Sequence, residues 1–155
     1  MIIRKANKAD APHILAVLRD SFRQYIEKSD IPLPLEDMLD DIGSIERDIE
    51  TIDVFIAFSD GIPVGTVRVA ARAGEPAMLT KLGVVTAYNN IGIGKLLMNL
   101  VDKAVVERGA RSVILYTAAK NAAIMRFYYG RGFYVESTST ERGYIRALMR
   151  KDYGQ

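Results

Sequence analysis

Residues 92–108 carry the clearest helical pattern in the sequence, with Leu96, Leu97, Leu100, Val101, Ala104 and Val105 on one face and Gly109 as a stop. They stand between two strand-like runs, 77–85 and 112–117. That order constrains the fold more than anything else in the chain. A strand, one long helix and a second strand rejoin a sheet as a parallel pair, because the helix carries the chain back along its own length. The other strand-like runs are joined by short polar turns, which make antiparallel hairpins. Asp60 and Gly61 join 54–58 to 62–70, residues 72–76 lead into 77–85, and a polar turn separates 133–137 from 144–150.

The remaining segments fill in the helices. Residues 2–5 read as a short strand. Asp10 is placed to cap a helix with Pro12 in its first turn, followed by Ile14, Leu15, Leu18, Phe22, Tyr25 and Ile26 at helical spacing. Residues 29–34, with two prolines, break it. A second amphipathic stretch runs from Leu35 through Met38, Leu39, Ile42, Ile45 and Ile49 to Ile52, weakened by Gly43. Residues 121–130 form a further helix. The expected fold is therefore α+β: a mixed, mainly antiparallel sheet of about seven strands flanked by about four helices, one domain over 1–155.

Composition excludes several chemistries. With no cysteine there is no disulfide, thiolate metal site or cysteine nucleophile. With His13 as the only histidine, serine–histidine triads and multi-histidine metal sites are hard to build, so no metal is expected. His13 itself reads as a surface residue. A net charge of +2 gives no footprint for nucleic acid. Residues 20–50 hold ten acids against three bases, a net of −7 that leaves the rest of the chain at +9. That asymmetry could steer a cationic and an anionic ligand into one cleft, or simply mark solvated helix faces. No apolar run approaches the roughly 20 residues that span a bilayer. The first residues lack the order of a signal peptide, so a cytoplasmic protein without membrane contact is expected.

The turn into the strong helix reads Tyr88, Asn89, Asn90, Ile91, Gly92, Ile93, Gly94, Lys95. At a helix start the first N–H groups lack internal partners and the dipole adds partial positive charge. Glycines admit a ligand close to the backbone, so the junction suits phosphate, and Lys95 could add charge. The nucleotide-triphosphate loop needs glycine at Asn89 and Ser or Thr at Leu96, and fails at both. The dinucleotide fingerprint needs glycine at Leu97 and a place after the first strand, and fails as well. A third pattern (Arg or Gln, two free positions, Gly, one free position, Gly or Ala) fits at Gly92 and Gly94 and departs at Asn89. Just upstream, Gly83 interrupts a strand, which marks either a bulge that frees backbone N–H groups or a close packing contact.

Here the chain resembles the GNAT superfamily of N-acetyltransferases. Residues 82–97 look like its acetyl-CoA motif. Residues 121–133, with Asn121, Phe127, Tyr128, Gly132 and Phe133, look like its second motif. The resemblance extends over nearly the whole chain through the element order. It implies an acetyl-CoA co-substrate, with backbone groups at Leu82, Gly83 and Val84 meeting the pantetheine arm and thioester carbonyl. It implies that backbone N–H groups of Asn89, Asn90, Ile91, Gly92, Ile93, Gly94 and Lys95 hold the pyrophosphate. Asn121 would contact the coenzyme arm, and Tyr128 would protonate the departing thiolate. Tyrosine suits that role because its pKa, about 10, is near that of a thiol, about 8.5. Asn121 can equally cap its helix, and Tyr128 can equally be a core aromatic. Asn89 replaces the usual Arg or Gln, Asn90 the common Gly, Thr86 the common Pro, and Ile124 a small residue.

The family often has a Glu base on the fourth strand, where this chain offers Thr80 and Lys81; Glu75 lies in the preceding turn. Deprotonation through ordered water is the expectation. The resemblance also makes Phe22, Tyr25, Glu27 and Tyr144 candidate acceptor contacts, with a small-molecule or peptide amine as partner, and suggests a homodimer. The acidic segment hints at a cationic acceptor such as a polyamine or a peptide N-terminus. An acyl-CoA-binding sensor without turnover is the alternative; a purely structural oligomerisation domain would leave the glycine turn without a purpose.

Overall fold

The computed structural model describes residues 1–154. Seven strands form one sheet: β1 (Ile2–Lys5), β2 (Asp53–Ser59), β3 (Ile62–Ala70), β4 (Ala77–Val84), β5 (Ser112–Ala118), β6 (Tyr134–Ser139) and β7 (Arg146–Asp152). Their spatial order is β1-β2-β3-β4-β5-β7-β6. Only β4 and β5 are parallel, as the helical crossover requires; the other neighbours are antiparallel. The four helices are α1 (Ala11–Ser29), α2 (Ile42–Thr51), α3 (Ile93–Glu107) and α4 (Ala122–Gly130).

Each sheet face carries its own core. On one, Ile14 and Leu18 of α1 and Ile45 of α2 pack on Val54 and Ile56 of β2. On the other, Leu97, Met98 and Val101 of α3 and Met125 and Tyr128 of α4 meet Val67, Leu79, Leu115 and Met149. The alternation along β2 sends Val54 and Ile56 to one face and Phe55 and Ala57 to the other, which is why both cores draw on this strand.

Two sequence expectations change. Asp10 does stand at the start of α1 but does not cap it. Its carboxylate accepts from the Asn7 N–H at 2.8 Å and from Arg4 at 2.7 Å, closing a capping box with Asn7 one turn earlier, on the 3-10 turn Lys8–Asp10. The stretch 35–52 is also not one helix. It is a 3-10 turn, Leu35–Met38, then α2. The break falls at 39–41, ahead of Gly43, because two acids there are engaged elsewhere. Asp41 caps α2 through the Ser44 N–H at 2.8 Å, and Asp40 reaches Arg68 at 2.6 Å. Arg68 is 1% exposed on β3 and is also held by Asp48 of α2, so this buried ion cluster pins the 35–48 segment to the sheet. His13 is exposed, as its sequence context implied, with its ring edge against Phe58.

Candidate active site

The parallel pairing of β4 with β5 is short. It covers Ala77 with Val113 and Met78 with Ile114, whereas β5 continues beside β7 to Ala118. Beyond Met78 the two strands part, and the β5-facing backbone of β4 is left without a strand partner. The cause lies within β4. The register slips between Thr66 and Arg68 of β3, so that Lys81 and Leu82 together oppose Val67, and Lys81 adopts φ 55°. This β-bulge bends β4 away from its neighbour. A cleft of about 880 Å³ occupies the opening, walled by α1, β4, the start of α3, the end of β5 and α4.

Gly83 follows the bulge but serves packing. A Cβ there would lie 2.3 Å from Ser21 Oγ and 3.2 Å from Leu18 of α1. The two readings of Gly83 thus both hold, at neighbouring positions: the bulge is at Lys81 and Leu82, the close approach at Gly83 itself.

The floor of the cleft is the turn into α3. Asn90 (φ 67°) and Gly92 (φ 92°) are left-handed, and Gly92 caps α3 with no side chain bonded to the first-turn N–H groups. Uncapped N–H groups on a fifteen-residue helix, beside a glycine that leaves the approach clear, would favour an anion there. Helix α1 braces the turn. Asp20 accepts from the Thr86 N–H at 2.8 Å and from its hydroxyl at 2.9 Å, and the Asn89 amide donates to Gln24 at 3.1 Å. These braces occupy two of the four positions, Thr86 and Asn89, at which the sequence departs from the family pattern. Asp20 and Gln24 were not foreseen; their spacing of four on an amphipathic helix was the available signal.

Tyr128 of α4 is 4% exposed, lines the cleft, and packs edge-on against Phe127 and Phe133 with centroids 5.4 Å away in each case. Its hydroxyl has no hydrogen-bond partner among the described residues. Burial, and to a smaller degree the neighbouring Tyr25 hydroxyl, push its pKa above the ordinary tyrosine value. Tyr25 is raised too, chiefly by burial. Its hydroxyl accepts from the Ala118 N–H at 2.7 Å and meets Thr117 Oγ1 at 3.3 Å, so it ties α1 to the free end of β5. Asn121 caps α4 through the Ile124 N–H at 3.1 Å and donates to Ser29 at 3.1 Å.

Of the residues singled out in the sequence, Leu82, Gly83, Val84, Asn89, Asn90, Gly92, Ile93, Gly94, Lys95, Asn121, Tyr128, Phe22, Tyr25 and Tyr144 all line this one cleft. Two do not. Ile91 is 62% exposed on the outside of the turn, and Glu27 is exposed on α1 away from the lining. Lys28, Met38, Tyr116, Arg142 and Arg146 line it without having been picked out. Glu75 is exposed, paired with Arg72 at 3.7 Å, and outside the lining.

The spermidine N(1)-acetyltransferase of Thermoplasma acidophilum is 27% identical over 147 residues, covering 88% of this chain and 89% of that protein. The crystal structure of the PaiA N-acetyltransferase of Thermoplasma acidophilum in complex with coenzyme A superposes with a TM-score of 0.86 at 25% identity, covering 98% of both chains. The Salmonella typhimurium protein yncA, solved with its cofactor acetyl-CoA, shares the fold at a TM-score of 0.78 and 17% identity, covering all of this chain and 95% of that one. The acetyltransferase (GNAT) family model matches residues 14–133, a span that holds the β4 bulge, the α3 turn and Tyr128 alike, and the chain belongs to that family of acyltransferases.

Proposed function

We propose that this protein is an N-acetyltransferase that moves the acetyl group of acetyl-CoA to an amine by direct attack in a ternary complex. The observation that carries the reading is Tyr128: a buried phenol without an internal partner, opening on the cleft where β4 and β5 part. The N–H groups from Asn90 to Lys95 would bind the pyrophosphate, with Ile91 contributing backbone only; the Asn89 N–H instead donates to the Thr86 carbonyl at 3.2 Å. The β5-facing edge of Leu82, Gly83 and Val84, a segment whose other edge runs along β3, would hold the pantetheine arm and stabilise the thioester oxyanion. Asn121, with its amide already bonded at both ends, would contribute by fixing the start of α4 beside that arm.

In the reaction, the amine nitrogen bonds to the thioester carbon, the carbon–sulfur bond breaks, and Tyr128 gives its hydroxyl proton to the sulfur. The amine loses its proton to solvent; the lining contains Asp37 as its sole carboxylate and no glutamate, which favours relay through ordered water. Burial that raises the tyrosine pKa raises that of a thiol in the same cleft, so the proton transfer stays close to balanced. The relative named for spermidine supports an amine acceptor.

The test is thiol release from acetyl-CoA across a panel of amines. The absence of cysteine makes a thiol reagent report the product alone. Tyr128→Phe should lower kcat on the order of 10²-fold or more, with little change in KM for acetyl-CoA. Coenzyme binding without release for any amine would instead indicate a sensor.

A further inference from the structure

Besides Lys95 at the α3 turn, the cleft is lined by four cations, Lys28, Lys81, Arg142 and Arg146, against Asp37 as the one carboxylate of the lining. Not all of this charge is free. Lys81 donates to the Met38 carbonyl at 2.9 Å, sits 5.7 Å from the Phe22 ring centroid, and lies in the field of Asp40 and Asp48, whose carboxylates hold Arg68. That group of two cations and two carboxylates is close to neutral.

Arg146 differs. Among the described residues its guanidinium pairs with no carboxylate and makes no hydrogen bond; Nε is buried without a partner. It is nonetheless fixed in place, with its guanidinium carbon 4.5 Å from the Tyr116 centroid. Its charge reaches the Tyr25 hydroxyl, which in turn neighbours Tyr128. Lys28 and Arg142 of the same lining also pair with no carboxylate among the described residues. A stacked, half-buried guanidinium without a counter-ion is completed by a ligand carboxylate, for which its fork of outer N–H groups is matched.

We propose that the acceptor is an amine that also bears a carboxylate, an amino acid or a peptide with its free carboxylate nearby, anchored by Arg146 with Lys28 and Arg142. This rests on the N-acetyltransferase reading. A polycation without a carboxylate meets repulsion from the same charge.

The experiment compares matched pairs as acceptors: phenylalanine with phenethylamine, methionine with 3-(methylthio)propylamine, lysine with 1,5-diaminopentane, and spermidine as the polycation. In at least one pair the acid should exceed its decarboxylated partner in kcat/KM by about tenfold or more, and spermidine should be the poorer substrate. Arg146→Gln should bring the preferred pair towards equality by raising KM for the acid while leaving KM for acetyl-CoA unchanged, and Arg146→Lys should restore part of the preference. Better turnover of the decarboxylated amines or of spermidine, or a preference indifferent to Arg146→Gln, overturns the proposal and leaves the acetyltransferase reading standing. If no amine releases thiol, that reading fails, and calorimetric titration of the same pairs into the coenzyme A-saturated protein decides the anchor. Tighter binding of an acid than its partner, lost in Arg146→Gln, supports it; equal or absent binding overturns it.

Discussion

At the scale of single residues, two positions show how far a side chain's surroundings decide its use. Tyr128 is held protonated by burial, so no alkaline loss of kcat from its ionisation should occur below the ordinary tyrosine value of about 10. A pH–kcat profile extended to pH 10 checks this, and a tyrosine-dependent fall near pH 8, absent in Tyr128→Phe, would count against the acid role. Gly83 is confined by Ser21, whose Oγ is buried without a partner among the described residues. Gly83→Ala should therefore destabilise the fold by roughly 1–3 kcal/mol, the usual cost of overpacking. Ser21→Ala removes the clashing oxygen and a buried unsatisfied hydroxyl, so the double variant should recover much of that loss in denaturant midpoint. If the two changes simply add, the contact is not the cause.

At the scale of elements, the turn into α3 owes its shape to a helix more than sixty residues earlier in the chain. Asp20 and Gln24 of α1 hold Thr86 and Asn89, and through them the approach to the α3 N-terminus. Asp20→Ala should weaken coenzyme A binding about tenfold, the loss of one to two kcal/mol from hydrogen bonds to a charged group, with the fold otherwise intact. Titration calorimetry against coenzyme A measures it, and unchanged affinity would mean the turn is ordered without α1. The segment 35–48 is fastened in a similar way from the other side, by Asp40 and Asp48 on Arg68, and this fastening brings Met38 to Lys81 in the cleft wall.

At the scale of the whole molecule, the acidic segment has a structural use. Asp40 and Asp48 hold Arg68, Glu36 pairs with Arg19, Glu50 with Lys8, and Asp41 caps α2. Outside the segment, Asp10 and Asp53 bind Arg4, Lys5 and Arg108. The Arg4 hydrogen bond lowers the Asp10 pKa and the Arg108 hydrogen bond that of Asp53. Burial works against Asp40, yet the Arg68 bond and charge hold it below the usual range. Such groups stabilise the fold above the unfolded carboxylate pKa, near 4, and the stability is lost as pH falls through their lower folded values. Thermal midpoints should thus be flat from about pH 6 to 5 and fall steeply below pH 4, with a shallower fall in Asp53→Asn. A midpoint insensitive to pH down to 3 would show that these pairs contribute little.

The sequence by itself determined the element order, the one parallel pair and the location of the glycine turn into α3. These follow from local signals: apolar periodicity, a helix too long for a hairpin, and a glycine where the backbone turns left-handed into a helix. It also pointed to Tyr128, Asn121 and Gly83, since each sits in a motif that only a few contiguous residues define. What it did not determine were the facts that depend on contacts between distant segments. The break at 39–41 comes from Arg68 on another strand. The bulge sits at Lys81 and Leu82 and not at the glycine beside them, because the pairing with β3 decides register. The uncompensated Arg146 could not be found either, for a charge is free or paired only once the chain has folded and the carboxylates that might have met it are seen to be engaged elsewhere. Periodicity is written in the chain one turn at a time, whereas charge balance in a cleft belongs to the assembled whole.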